Sequence, residues 1–112
     1  MDTKVDKTKR IRELNDAFRT TFVGGVVTLT TGVNALCIEV KAEVLRRVRA
    51  FNTFATDNDP YGEHDFGTFE IAGEKFFWKI DSYDKNLEYG SEDPSDPEKT
   101  TRVLTITFAS DY

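Results

Sequence analysis

A chain of 112 residues with 38% hydrophobic and 12% aromatic side chains carries enough apolar material for one core and too little for two independent ones. Its net charge of -5 opposes nucleic-acid binding driven by bulk positive charge, and no run approaches the roughly 18 to 20 apolar residues of a bilayer span. A polar, Lys-rich start without a signal-peptide pattern places the expectation in the cytoplasm, and Cys37, the lone cysteine, forms no internal disulfide. One domain is expected over residues 1–112, with a flexible tail over 1–6 and a long acidic surface loop over 82–100.

The charge is uneven along the chain. Residues 1–56 carry +4 and residues 57–112 carry -9, so a cationic and an anionic face are conceivable. Sequence halves more often interleave in space, which mixes their charges.

In chain order, Ile11, Leu14 and Phe18 recur at helical spacing among Arg10, Arg12, Glu13, Asp16 and Arg19, which predicts an amphipathic helix over 7–22. Gly24 and Gly25 end it, and the β-branched run from Val26 to Thr31 predicts a strand. Residues 33–38 have no clear period, and Cys37, between Leu36 and Ile38, reads as core. Val40, Val44, Leu45, Val48 and Phe51 then form the apolar stripe of a second helix, with Arg46, Arg47 and Arg49 toward its end, where cations complement the helix dipole.

Three alternating segments follow at 67–72, 74–81 and 102–109, the first two close enough to form an antiparallel hairpin around Ala72-Gly73-Glu74. Apolar side chains on both sides of Phe76-Phe77-Trp78 predict a central strand. The expected fold is α+β: two helices packed on one face of a small, largely antiparallel sheet of about four strands.

The segment Asp-Asn-Asp-Pro-Tyr-Gly-Glu-His-Asp-Phe-Gly at 57–67 gathers four acids and the only histidine. Asp57, Asp59, Gly62 and Asp65 match places one, three, six and nine of an EF-hand loop, but Tyr61 and Thr68 occupy ligand places and a strand follows, so the calcium pattern breaks. Asp57, Asp59, Glu63, His64 and Asp65, with Asp81 near by, would suit another divalent ion. No cofactor is expected, though a divalent metal is possible there. Histidine is the side-chain type suited to acid-base work near neutral pH, and His64 could serve, but Glu63 and Asp65 point away from it in extended chain, so a carboxylate orienting its ring must come from elsewhere. The simpler reading is a β-turn at Asp59-Pro60-Tyr61-Gly62, with Phe66 anchoring the loop in the core and His64 at its rim. No phosphate-binding glycine loop or nucleophile elbow is present.

Arg-Glu-Leu-Asn-Asp-Ala-Phe-Arg at 12–19, the 57–67 segment, Phe-Trp-Lys-Ile-Asp at 77–81 and Thr-Thr-Arg-Val-Leu-Thr-Ile at 100–106 together resemble the proteobacterial domain of unknown function 3768 family. The resemblance implies a small bacterial protein of a kind often associated with mobile elements. It implies no reaction, cofactor or catalytic residue. Residues 22–37 are the least like the family.

The functional expectation is a non-catalytic interaction module that binds a host protein or protein complex, rather than nucleic acid or a membrane, through an acidic surface including the 57–65 and 88–98 loops. One concrete form is an inhibitor of a nucleic-acid-processing or defence complex, such as an anti-CRISPR, whose carboxylates stand in for phosphates. The candidate binding residues are Asp57, Asp59, Tyr61, Glu63, His64, Asp65 and Asp81. The alternative is a metal-dependent hydrolase or small-ligand-binding protein using the acidic loop and His64.

Overall fold

The computed structural model describes residues 3–112, with side chains from Lys7 onward. Helix α1 spans Thr3–Thr21, strand β1 Gly25–Leu29, the one-turn helix α2 Thr31–Asn34 and helix α3 Ile38–Ala50. Strands β2 (Phe66–Ile71), β3 (Glu74–Tyr83) and β4 (Thr101–Phe108) follow, and the chain closes on a 3-10 turn at Ala109–Asp111. Of the tail expected over 1–6, Met1 and Asp2 lie outside the described residues, and α1 takes in the backbone from Thr3. Among the described residues, no helix is long and apolar enough to cross a membrane.

Local chemistry sets these boundaries. The chain leaves α1 through left-handed backbone at Phe22 (φ 61°) and Gly24 (φ 105°), and the absence of a Cβ makes such a turn cheap at glycine. The hairpin turns at Ala72 (φ 52°) and Gly73 (φ 85°), two successive positive φ values whose twist suits paired strands.

The sheet has the order β1-β4-β3-β2. β2 pairs antiparallel with β3, and β3 with β4. Two of the three pairings are thus antiparallel as expected, but β1 lies parallel to β4, from Gly25 opposite Arg102 to Leu29 opposite Ile106, so the four-strand sheet is mixed. The first strand of the chain meets the last, and the segment between them supplies the crossover that parallel pairing requires.

One buried cluster joins Phe18 of α1, Val33 of α2 and Val44 and Val48 of α3 to Phe69, Phe76, Trp78, Ile80, Leu104 and Ile106. The register puts those six strand residues on a single face. The other face carries Phe66, Phe77, Lys79, Asp81, Tyr83 and Val103, and Tyr112 meets Phe77 there in a T-shaped contact with ring centroids 4.4 Å apart. Two expectations fail on this framework. Phe66 anchors nothing in the main core, because strand parity turns it to the other face, where it meets Phe77 at 5.3 Å. Cys37 is exposed: it caps the start of α3 just after the α2 turn, so its apolar sequence neighbours do not enclose it.

Candidate functional site

The polar side of α1 grips the 57–65 loop. Arg12 Nη1 donates to the Gly62 carbonyl at 3.0 Å, and Asn15 Nδ2 donates to that of Glu63 at 2.9 Å. Asn15 is 2% exposed and accepts from Arg102 Nε on β4 at 2.7 Å; Arg102 also donates to the Pro94 carbonyl. Two residues of α1 and one of β4 thereby tie both acidic loops to the sheet.

Within the loop, the Gly62 amide donates to the Asp59 carbonyl at 3.1 Å, closing the expected turn over Pro60 and Tyr61. The Asp59 carboxylate faces inward and accepts from the His64 amide at 3.1 Å. Asn58 closes the preceding bend, accepting from the Ala55 amide and donating to the Thr53 carbonyl. These side chains replace ladder partners that an irregular segment lacks.

His64 takes φ 54°, and its ring lies between two carboxylates. Nδ1 is 2.9 and 3.0 Å from the two oxygens of Asp16, a separation at which an Nδ1–H donates. Nε2 lies 3.6 Å from Asp59 Oδ2. The imidazole also stacks on Phe54, with centroids 3.7 Å apart and planes 3° from parallel. Asp16 is therefore the carboxylate that had to come from elsewhere. Its sequence signal was slight: it stands 48 positions from His64.

Arg19 continues the network inward. Its side chain is 3% exposed, and Nη1 donates to the last carbonyls of α3, Val48 at 2.9 Å and Arg49 at 3.3 Å, the negative end of that helix dipole. Asp16 lies 3.3 Å from Nη2, and the guanidinium sits over Phe54 and Trp78 at 5.5 and 5.1 Å. Burial pushes its pKa down, while Asp16 pulls it up. Among the described residues, Arg19 Nε and Trp78 Nε1 are buried without a hydrogen-bond partner.

The other predicted residues separate. Asp57 is exposed, and Tyr61 is 81% exposed at the tip of the turn. Glu63 and Asp65 are half-buried, and both pKa values are raised: chiefly by burial, then by repulsion from Asp65 and Asp59 at Glu63, and from Asp59 and Asp81 at Asp65. Asp81 lies on the opposite face of the sheet, 3.1 Å from Lys79 Nζ. Among the described residues, no group of three or more His, Cys, Asp or Glu is placed to hold a metal ion. Both ring nitrogens of His64 face carboxylates, and Cys37 is exposed at the start of α3. Asp16, Asp59 and the Phe54 ring together hold the imidazole against the loop and α1.

The same architecture collects the acids at one end of the sheet. β2 begins where the 57–65 loop ends, with Asp65 accepting from the Ile80 amide; β3 ends at Tyr83 opposite Thr101, the first residue of β4. Both loops therefore leave the sheet on the same side. Residues 57–65 and 81–98 hold eleven carboxylates and, besides His64, a single cationic side chain, Lys85. The second loop is irregular but tied down: Asp84 accepts from the amides of Asn86 and Glu88, Asp93 from Ser95, and Asp96 from Glu98. Tyr83 and Gly90 form a further bridge. Cations from the first half reach this end too, as in Lys7 with Asp93 at 3.8 Å, so the sequence halves interleave. Tyr89 (73% exposed) and Leu87 (52%) stand out from the loop.

The fold and site define a small α+β protein with a mixed four-strand sheet and a histidine clamped between two carboxylates. Residues 29–111 match the model of the family described as Protein of unknown function (DUF3768), and the chain belongs to that family. The match begins after α1, so the helix that supplies Asp16 lies outside the matched residues. No curated protein and no solved structure matches the chain.

Proposed function

We propose that the protein is a non-catalytic interaction module that docks a basic surface of a host protein against the acidic end of its sheet. One observation carries this reading: Tyr61, Tyr89 and Leu87, all more than half exposed, project from two loops that hydrogen bonds hold in shape, among eleven carboxylates. Tyrosine on a pre-shaped loop gives large contact area at low entropic cost, and the acids steer a cationic partner and set its orientation. Inhibition of a nucleic-acid-processing or defence complex, as by an anti-CRISPR, is the specific form in which such a surface competes for a basic groove. The clamped His64 supports a binding role, because its ring braces the loop against α1.

The test is capture of host proteins on the tagged chain, followed by direct binding of the retained protein to wild type and to Tyr61→Ala/Tyr89→Ala. Affinity is expected to fall steeply between about 0.1 and 1 M salt, over which the screening length shortens from roughly 10 to 3 Å. It is expected to fall at least tenfold in the double variant, on the order of a hot-spot loss, with an unchanged melting temperature. Binding indifferent to both salt and the tyrosines, or retention of no protein at all, overturns the proposal.

A further inference from the structure

Away from the acidic end, a groove of about 500 Å³ opens between the end of α3 and the outer edge of β2, lined by Arg46, Arg47, Phe51, Asn52, Thr53 and Thr68 among others. Its size falls within the range of small-ligand sites. Among the described residues, no carboxylate lines it.

The two arginines differ in what they have free. Arg46 spends its fork on Glu43, with bonds of 2.8 and 2.7 Å. Arg47 lies 4.0 Å from the same carboxylate, beyond hydrogen-bond reach, and its guanidinium rests over the buried Phe69 ring at 5.4 Å. Arg47 is thus a positively charged fork, held in place by an aromatic face and half-exposed to the groove, whose donors have no hydrogen-bonded acceptor among the described residues. An arginine so placed matches the two oxygens of a carboxylate or phosphate.

The opposite wall adds a donor. β2 is an edge strand, and Asp65 accepts from Ile80 in the β2–β3 ladder. Antiparallel alternation then turns the Thr68 amide and carbonyl away from β3, toward the open edge. The Thr68 main-chain N–H and the guanidinium donors of Arg46 and Arg47 therefore border one concavity.

We infer that this groove binds an oxyanion carried by a small ligand, with Arg47 as the principal contact, Arg46 as a second cation and Thr68 contributing from the edge strand. Glu43 acts against the ligand by occupying Arg46. The proposal is independent of the acidic end and of any partner that docks there.

The experiment is a titration of the full chain with inorganic phosphate and, separately, with acetate, followed by amide chemical shifts at constant ionic strength. Saturable shifts at Arg47, Asn52, Thr53 and Thr68 are expected with at least one probe. Arg47→Gln should weaken binding by about tenfold or more, as loss of a charge-assisted fork does, while Arg47→Lys keeps the charge and recovers part of it. Glu43→Gln should tighten binding by freeing Arg46, an effect that a purely structural role for these residues would not produce. Saturation by phosphate alone assigns a phosphate ester, and by acetate alone a carboxylate ligand. No saturable shift with either probe, or shifts that persist unchanged in Arg47→Gln, overturns the inference.

Discussion

Replacing Gly67 by alanine should weaken the fold at the seam between the 57–65 loop and the core. A Cβ at that position falls 2.6 Å from Trp78 Nε1 and 2.7 Å from Phe51 Cζ, whereas ordinary contact begins near 3.4 Å. Trp78 is fully buried and is boxed edge-on by Phe51 and Phe54, with centroids at 5.6 and 6.2 Å, so neither aromatic ring can yield without disturbing the other. Overpacking of this kind costs about 1–3 kcal/mol net, even though burying one more methyl contributes about 0.8 kcal/mol and loss of glycine's unfolded-state freedom about 0.4–1 kcal/mol in the opposite direction. For a domain of this size the loss corresponds to a melting temperature lowered by roughly 4–20 °C. Urea unfolding followed by fluorescence of Trp78, the only tryptophan, reports the change without labels. Gly90→Ala is the control, because a Cβ there meets nothing nearer than 4.0 Å, and it should leave the midpoint unchanged or slightly raised. A Gly67→Ala midpoint at or above wild type would refute the steric reasoning.

Further outcomes follow from the clamp and the acids. Asp16→Ala removes the acceptor shared by His64 and the buried Arg19, and should cost about 1–3 kcal/mol while speeding hydrogen exchange at the His64 amide; an unaltered exchange rate would mean that Asp16 does not brace the loop. The folded state raises the pKa of Asp65 above its ordinary 3.8, so folding favours the protonated acid: its contribution is fully present below the unfolded pKa and is lost as pH rises through the folded one. Asp65→Asn should therefore be more stable than wild type at neutral pH and equal to it near pH 3, and a difference that stays constant across that range contradicts the sign. Truncation of both exposed tyrosines should leave thermal stability within about 0.5 kcal/mol of wild type, as surface changes do, and calorimetry checks this separately from binding.

Much of the architecture was legible because burial writes a period into the chain. α1, α3 and β2 to β4 all sit within a few residues of where their apolar spacing predicts them, and the turn at Asp59 to Gly62 carries its own chemistry. What escaped was non-local. No residue of β1 records which strand it will join, so its parallel pairing with β4 had no signature, and α2 is a single turn, too short to show a period. The clamp on His64 lies across 48 positions. A hint was nonetheless present on α1: Asn15 follows Ile11 by four residues and Arg19 follows Asn15 by four, which puts two polar groups on the apolar stripe. Such groups are buried only with partners, and here those partners are the loop and the α3 carboxyl end. Cys37 misled for the opposite reason, since apolar neighbours in sequence do not guarantee enclosure where the chain breaks between helices.

The parallel seam between β1 and β4 also orders events during synthesis. Gly25 finds its partner only when Arg102 has been made, so β1 must wait, with its edge bare, while α2, α3 and the hairpin emerge after it. Contacts this distant along the chain slow folding, because the intervening loop must be closed before they stabilise anything. A chain halted before Thr101 leaves β1 and the far side of β3 without neighbours, two open strand edges of the kind that recruit other chains. Addition of β4 therefore joins the sheet and covers both of these edges in one step.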